Sequence, residues 1–142
     1  LTTTISVPFS FSRFGGVETT DDPHKVARQE ITNVLLTDRY ERVMAPSYGA
    51  STSQLLFQTL DSLVVADFKD EAVAMLNKYL SNSTAMDMSI SDTPPDLSGG
   101  PSPDPDATMY VTVSYQLHSE LSVSTISVAV VNPTTITATT PL

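Results

Sequence analysis

The hydrophobic period of this chain changes near residue 80, and that change restricts the fold more than any other feature. From about residue 22 to residue 80 the apolar residues recur at helical spacing; from Ala85 onward they alternate, as Ile5, Val7, Phe9 and Phe11 do in the opening arm. After the arm, helices therefore come first and strands last. That order predicts an α+β domain: a small, mostly antiparallel sheet with two main helices packed on one face. With 142 residues, the length suits a single domain spanning 1–142.

The first helix is predicted at 22–36. Asp21-Asp22-Pro23 opens it, because an Asp accepts from free backbone N–H groups and a proline at the first helical position sacrifices no bond. Ala27, Ile31, Val34 and Leu35 fall on one stripe, while Arg28, Gln29 and Asn33 take the solvent side. A short helix is predicted around Gln54 to Thr59, capped by Ala50-Ser51-Thr52-Ser53. A long one follows from Leu60 or Asp61 to about Leu80, with Val65, Phe68, Ala72, Met75, Leu76, Tyr79 and Leu80 in period.

Between these helices, residues 35–49 read as a short extended piece ending in a defined turn. Pro46 fixes its own φ and pushes Ala45 towards extended geometry, and Gly49 is free to take a positive φ. Glu41 and Arg42 are adjacent, which is read as an ion-paired structural acid.

In the second half, Met86, Met88 and Ile90 alternate with Asp87 and Ser89, so a strand is expected from Ala85. The Pro/Gly/Ser/Asp-rich stretch at 92–106 is excluded from any sheet. Met109, Val111, Val113, Tyr115 and Leu117 then share one face of the clearest strand, and His118-Ser119-Glu120 turns the chain. The returning strand, 121–131, begins with Leu121 and Val123 and continues with Ile126, Val128 and Val130. This change of parity predicts a bulge near Ser124-Thr125. The Thr-rich tail at 132–142 lacks alternation. At the other end, 1–20 is read as an extended arm whose Phe9, Phe11 and Phe14 tuck against the domain before Gly15-Gly16.

Composition narrows the function. The net charge is −9, and the chain holds 7 basic residues with no clustered basic face, so a nucleic-acid partner is not expected. No apolar run reaches membrane-spanning length. The start has neither the basic opening nor the apolar block of a signal peptide. Without cysteine, thiol catalysis and Cys-based zinc sites are excluded. His24 and His118 have no companion at metal-ligand spacing, and no Ser stands in a Gly-flanked nucleophile turn. Asp104 and Asp106 lack the Gly and Glu of a calcium loop, and no Gly-rich phosphate loop occurs. No catalytic residue, cofactor or metal is therefore expected. The anticipated partner is protein.

The capped first helix, Leu35-Leu36-Thr37, Glu41-Arg42, Met44, Pro46 and Tyr48-Gly49 together resemble the gene-product-twenty-five-like baseplate wedge family of contractile phage tails. Relatives of that family occur in contractile injection systems and the type VI secretion baseplate, and some carry the label lysozyme-like. Its pattern has Gly-Glu-Arg where this chain has Tyr40-Glu41-Arg42, and Phe-Gly where this chain has Tyr48-Gly49. The family's Glu-Pro-Arg after the long helix is replaced by Ser81-Asn82-Ser83-Thr84, which leaves Arg39 or Arg42 to make the docking contact.

The resemblance implies a structural subunit of a six-fold tail baseplate, assembled in the host cytoplasm. It would link the baseplate core to the first sheath ring and prime sheath assembly by strand addition. The implied partners are the sheath protein and other wedge and hub or tube-adaptor proteins. The strands at 109–117 and 121–131 would receive the added strand. Expected interface residues are Arg39, Glu41, Arg42, Pro46, Tyr48, Gly49, Tyr115, Val128 and Val130. The alternatives are a lysozyme-like peptidoglycan hydrolase and a non-tail adaptor of the same fold.

Overall fold

Asp22 caps the first helix as its chemistry dictates. In the computed structural model, which describes residues 3–58, 61–91 and 107–131, its carboxylate accepts from His24 N at 3.1 Å. Helix α1 spans Pro23–Leu36 and buries Ala27, Ile31, Val34 and Leu35, the stripe that the spacing predicts, together with Val26. It ends at Thr37, whose N–H bonds to Asn33 O at 3.1 Å.

The short helix differs from expectation in type and place. It is a 3-10 helix over Thr52–Phe57, and its cap residue Ser51 takes a left-handed φ of 54° with no side-chain cap bond. The reason is the closure just before it. Ala50 N donates to Val34 O and Ser51 N to Thr37 O, so the chain is pinned to the end of α1 before the helix can choose its own direction. The predicted end at Thr59 lies outside the described residues. Helix α2, Ser62–Tyr79, follows with Asp61 at its N-cap and Leu80 at its C-cap, close to the expected bounds. Ala72 and Leu76 are fully enclosed, and Val64, Phe68, Val73, Met75 and Tyr79 pack around them.

Strands β3 (Ser83–Ser91), β4 (Ala107–Leu117) and β5 (Val123–Val131) form an antiparallel sheet in the order β3-β4-β5. Met109, Val111, Val113, Tyr115 and Leu117 all point into the core with Val128 and Val130, so the predicted face of β4 is the buried one. Helix α2 packs on β3, and α1 packs on α2 and β4. The α+β class and the antiparallel pairing are as expected.

Two register expectations are corrected. β4–β5 pairing runs unbroken from Met109↔Val130 to Gln116↔Val123, so there is no bulge at Ser124-Thr125. Leu121, 96% exposed, belongs to the turn, and Val123 faces outward, so β5 keeps a single parity through Ile126, Val128 and Val130. The irregularities lie elsewhere, between Ala85 and Asp87 in β3 and between Ala107 and Met109 in β4. The first of these throws Met86 out of the core face to 55% exposure and lets Ala85 take its place. The strand 109–117 is the middle one, so it has no border to offer. The loop at 92–106 and the tail at 132–142 lie outside the described residues.

The arm is also corrected. β1 (Thr4–Ile5) pairs with β2 (Thr19–Thr20), and the chain between them folds back through the Phe11↔Val17 bridge. Its aromatics are not tucked in: Phe9 and Phe11 meet edge to face at 5.3 Å and stay exposed, and Phe14 is 98% exposed. Alternation reports an extended chain; it does not report whether a second layer exists to cover one face. The hairpin is instead held to α1 by Gln29. In the orientation that satisfies both ends of its amide, Gln29 donates to Ile5 O and Thr4 Oγ1 and accepts from Val7 N at 3.0 Å.

Candidate protein interface

Residues 37–51 close into a stitched loop at the end of α1. Tyr40 N donates to Pro46 O at 2.9 Å, and Tyr48 N to Ala45 O at 3.0 Å. Asp38 N donates to the Glu41 carboxylate at 2.9 Å, and the Asp38 carboxylate accepts from Ser53 Oγ at 2.7 Å. Glu41 is thus turned back onto the backbone of its own loop, which corrects the reading of a Glu41–Arg42 ion pair. Adjacent residues on a turn point apart, and Arg42 goes the other way.

The Arg42 guanidinium lies 3.8 Å from the centre of the Tyr48 ring, a cation–π contact. Tyr48 in turn meets Tyr79 edge to face at 4.7 Å, and the Tyr79 hydroxyl is 3.3 Å from Ser47 Oγ. Burial pushes the Tyr48 phenol above its ordinary value, with Arg42 partly opposing. The hydrogen bond with Ser47 holds the Tyr79 phenol below its ordinary value. Arg39 pairs with Glu71 on α2, and its backbone N–H donates to Ser51 Oγ at 2.9 Å. Both arginines are therefore already held within the chain, one by a carboxylate and one by a ring.

Gly49 has the positive φ that the sequence asks for, +112°, and a Cβ there would stand 2.2 Å from Thr37 O. Tyr40 also has a positive φ, 68°. The position where the resembling family has glycine is one where this backbone wants one. Beside the exposed Glu41 and Arg42, the loop also turns apolar side chains outward. Val43 and Met44 are each 94% exposed, beside the exposed Tyr40. Sequence reasoning notes Tyr40 only as the residue that stands for the family's glycine, and it passes over Val43, which neither breaks a period nor carries a motif.

The remaining expected residues sit on the sheet. Tyr115 is 0% exposed, with its hydroxyl 3.4 Å from His24 Nδ1, so it is a core residue and not a surface contact. Val128 and Val130 also point into the core, so they are not surface contacts, and what β5 has to offer a partner is its backbone border and the outward side chains Val123 and Thr125. Among the described residues that border lies beside no strand other than β4. The loop residues form one cluster with α2, and β5 forms a separate surface.

Among the described residues, no group of three or more His, Asp or Glu side chains could hold a metal ion. His24 is oriented by Glu120 at 3.3 Å, not by the neighbouring Asp21 or Asp22. A surface groove of about 310 Å³ lies between the 3-10 helix and α2, lined by Leu55, Val64 and Phe68 with the Arg39–Glu71 pair at its rim. No helix among the described residues is long and apolar enough to cross a membrane.

No protein-family model matches the chain, and no curated protein matches it. Solved structures do. A protein in the six-fold symmetrised cryo-EM structure of the anti-feeding prophage baseplate superposes with a TM-score of 0.63 at 17% identity, over 82% of this chain and 86% of that one. A protein from Geobacter sulfurreducens named as a tail lysozyme superposes with a TM-score of 0.58 at 16% identity, over 79% of this chain and 92% of that one. At such identities the likeness is one of fold.

Proposed function

We propose that this chain is a structural subunit of a contractile-tail or injection-particle baseplate. In this reading it joins the baseplate core to the first sheath ring, repeats around a six-fold assembly and performs no reaction. The observation that carries the proposal is the outer border of β5, which runs beside no other strand among the described residues, in a fold similar to that of a baseplate protein. An extended segment from a sheath subunit would add there, with backbone hydrogen bonds giving affinity and alternating side chains setting register. Weak contacts of this kind gain strength when a ring repeats them.

The loop 37–51 is the second proposed contact. Its backbone is tied at both ends, so Tyr40, Val43 and Met44 are presented with little left to order, which favours docking on a neighbouring baseplate subunit.

Because Val128 and Val130 are buried, prolines there would damage the core as well as the border. The test instead replaces two exposed residues of β5, Val123→Lys and Thr125→Lys, using the charge with which natural edge strands repel additional strands. Particles carrying the double variant are expected to assemble baseplates without sheath, seen by negative-stain microscopy. Normal sheathed tails from a folded double variant would refute the strand-addition reading.

A hydrolase is the second reading, favoured by the name of the Geobacter protein alone. Here the Glu41 carboxylate is engaged by Asp38 N–H on an open loop. Native chain and Glu41→Gln are expected to show the same background in a muralytic assay. Activity lost on substitution would restore the enzyme.

A further inference from the structure

β3 and β5 are the two outer strands of the sheet, and α2 treats them unequally. Asn77, near the end of α2, turns its side-chain amide onto the backbone of Ala85. Its Oδ1 accepts from Ala85 N at 2.8 Å, and its Nδ2 donates to Ala85 O at 3.3 Å. Those are the two groups through which an added strand would bond at that residue. Ala85 is also where the β3 bulge begins, so pairing is interrupted at the same point.

Eight residues earlier on α2, Lys69 Nζ stands 3.6 Å from Asp87 Oδ1, an exposed carboxylate just beyond the bulge. Val73, midway between them, packs against the core. Lys69, Val73 and Asn77 stand at i, i+4 and i+8, one ridge of the helix. The start of β3 is therefore bordered by a helix ridge, a charged side chain and a bulge. Each is a known way of blunting a sheet edge.

We infer that Asn77 is a specificity residue: it fills the strand-accepting groups of Ala85 at the start of β3, so that the sheet takes a partner strand at β5 in preference to that end of β3. The use made of β5 rests on the reading above, whereas the closing of β3 rests on the Asn77–Ala85 geometry itself. Uncovered, β3 would present Ala85 with the exposed Met86 beside it, and the strand most available to it is the same border of a second copy of this chain.

The test is the association state of the full chain carrying Asn77→Ala, measured by sedimentation velocity beside the native chain, with circular dichroism to show that it is folded. Asn77→Ala is expected to self-associate at least about tenfold more tightly than the native chain, with the Ala85 amide exchanging faster in the residual monomer. Asn77→Leu keeps the side chain's volume and removes both the donor and the acceptor without adding charge, so it decides the matter if the alanine variant does not fold. It is expected to associate more than the native chain. Folded variants that stay as monomeric as the native chain would overturn the inference. So would association that Val123→Lys and Thr125→Lys abolish, since it would then run through β5. Failure of the sheath reading appears only in the particle assay and leaves this result untouched.

Discussion

Gly49 and Tyr40 show how differently two positive-φ positions in one loop can behave. At Gly49 the side chain is forbidden by space as well as by φ, because the Thr37 carbonyl occupies the place of a Cβ. Gly49→Ala is expected to cost about 2–4 kcal/mol, the sum of left-handed strain and overpacking, read as a fall in the denaturation midpoint. At Tyr40 the ring is 83% exposed and only the backbone is unfavourable. Tyr40→Gly is expected to stabilise by roughly 0.5–1 kcal/mol, since relief of left-handed strain exceeds the entropy that glycine adds to the unfolded chain. Tyr48 supplies a pH test. Its folded pKa is raised above the ordinary 10.0, so the folded state holds the proton more tightly than the unfolded chain. Its contribution is therefore fully present below about pH 10 and is lost as pH rises through the folded value. Tyr48→Phe should flatten the alkaline fall in stability, measured by denaturation at pH 9 and above.

Among the elements, the two long helices were legible, whereas the short helix and the ends of the strands were not. A stripe such as Ala27, Ile31, Val34 and Leu35 repeats often enough to survive one misfit, and Asp22 announces where it starts. The strands offered shorter evidence. Met86 alternates faultlessly with Met88 and Ile90, yet the bulge beside it turns it outward, because Asn77 on α2 holds Ala85 in the core register. Leu121 and Val123 imitated a strand with a bulge, although the first is in the turn and the second faces solvent. The arm differs from expectation for a related reason: alternation does not tell what covers a strand, and among the described residues Gln29 bonds the arm to α1. Gln29→Ala is expected to speed exchange of the Val7 amide about tenfold or more, while global stability falls by no more than about 1 kcal/mol. Hydrogen exchange and a melting curve would check the two halves of that statement.

At the scale of the molecule, the buried cluster that unites α1, α2 and the sheet contains, among the described residues, none before Ala27. A chain beginning at Asp21 is therefore expected to unfold in one cooperative transition, with coincident circular dichroism and fluorescence curves. The candidate site was legible to the same uneven degree. Pro46, Gly49 and the Glu41-Arg42 turn stood out because backbone punctuation is written in residue type. Asn77 did not, because a helical asparagine acquires its role only when a particular strand lies beside it.

By itself the sequence determined the class of fold, the capped first helix, the buried face of β4 and the glycine that the loop cannot replace. Those follow from period and from backbone chemistry, which act over a few neighbouring residues. The tertiary structure decided that β4 lies in the middle, that Tyr115 is enclosed, and that Asn77 on α2 bonds to the backbone of β3 at Ala85. Such facts depend on which elements become neighbours, and side chains far apart in the chain set that only once the core has closed.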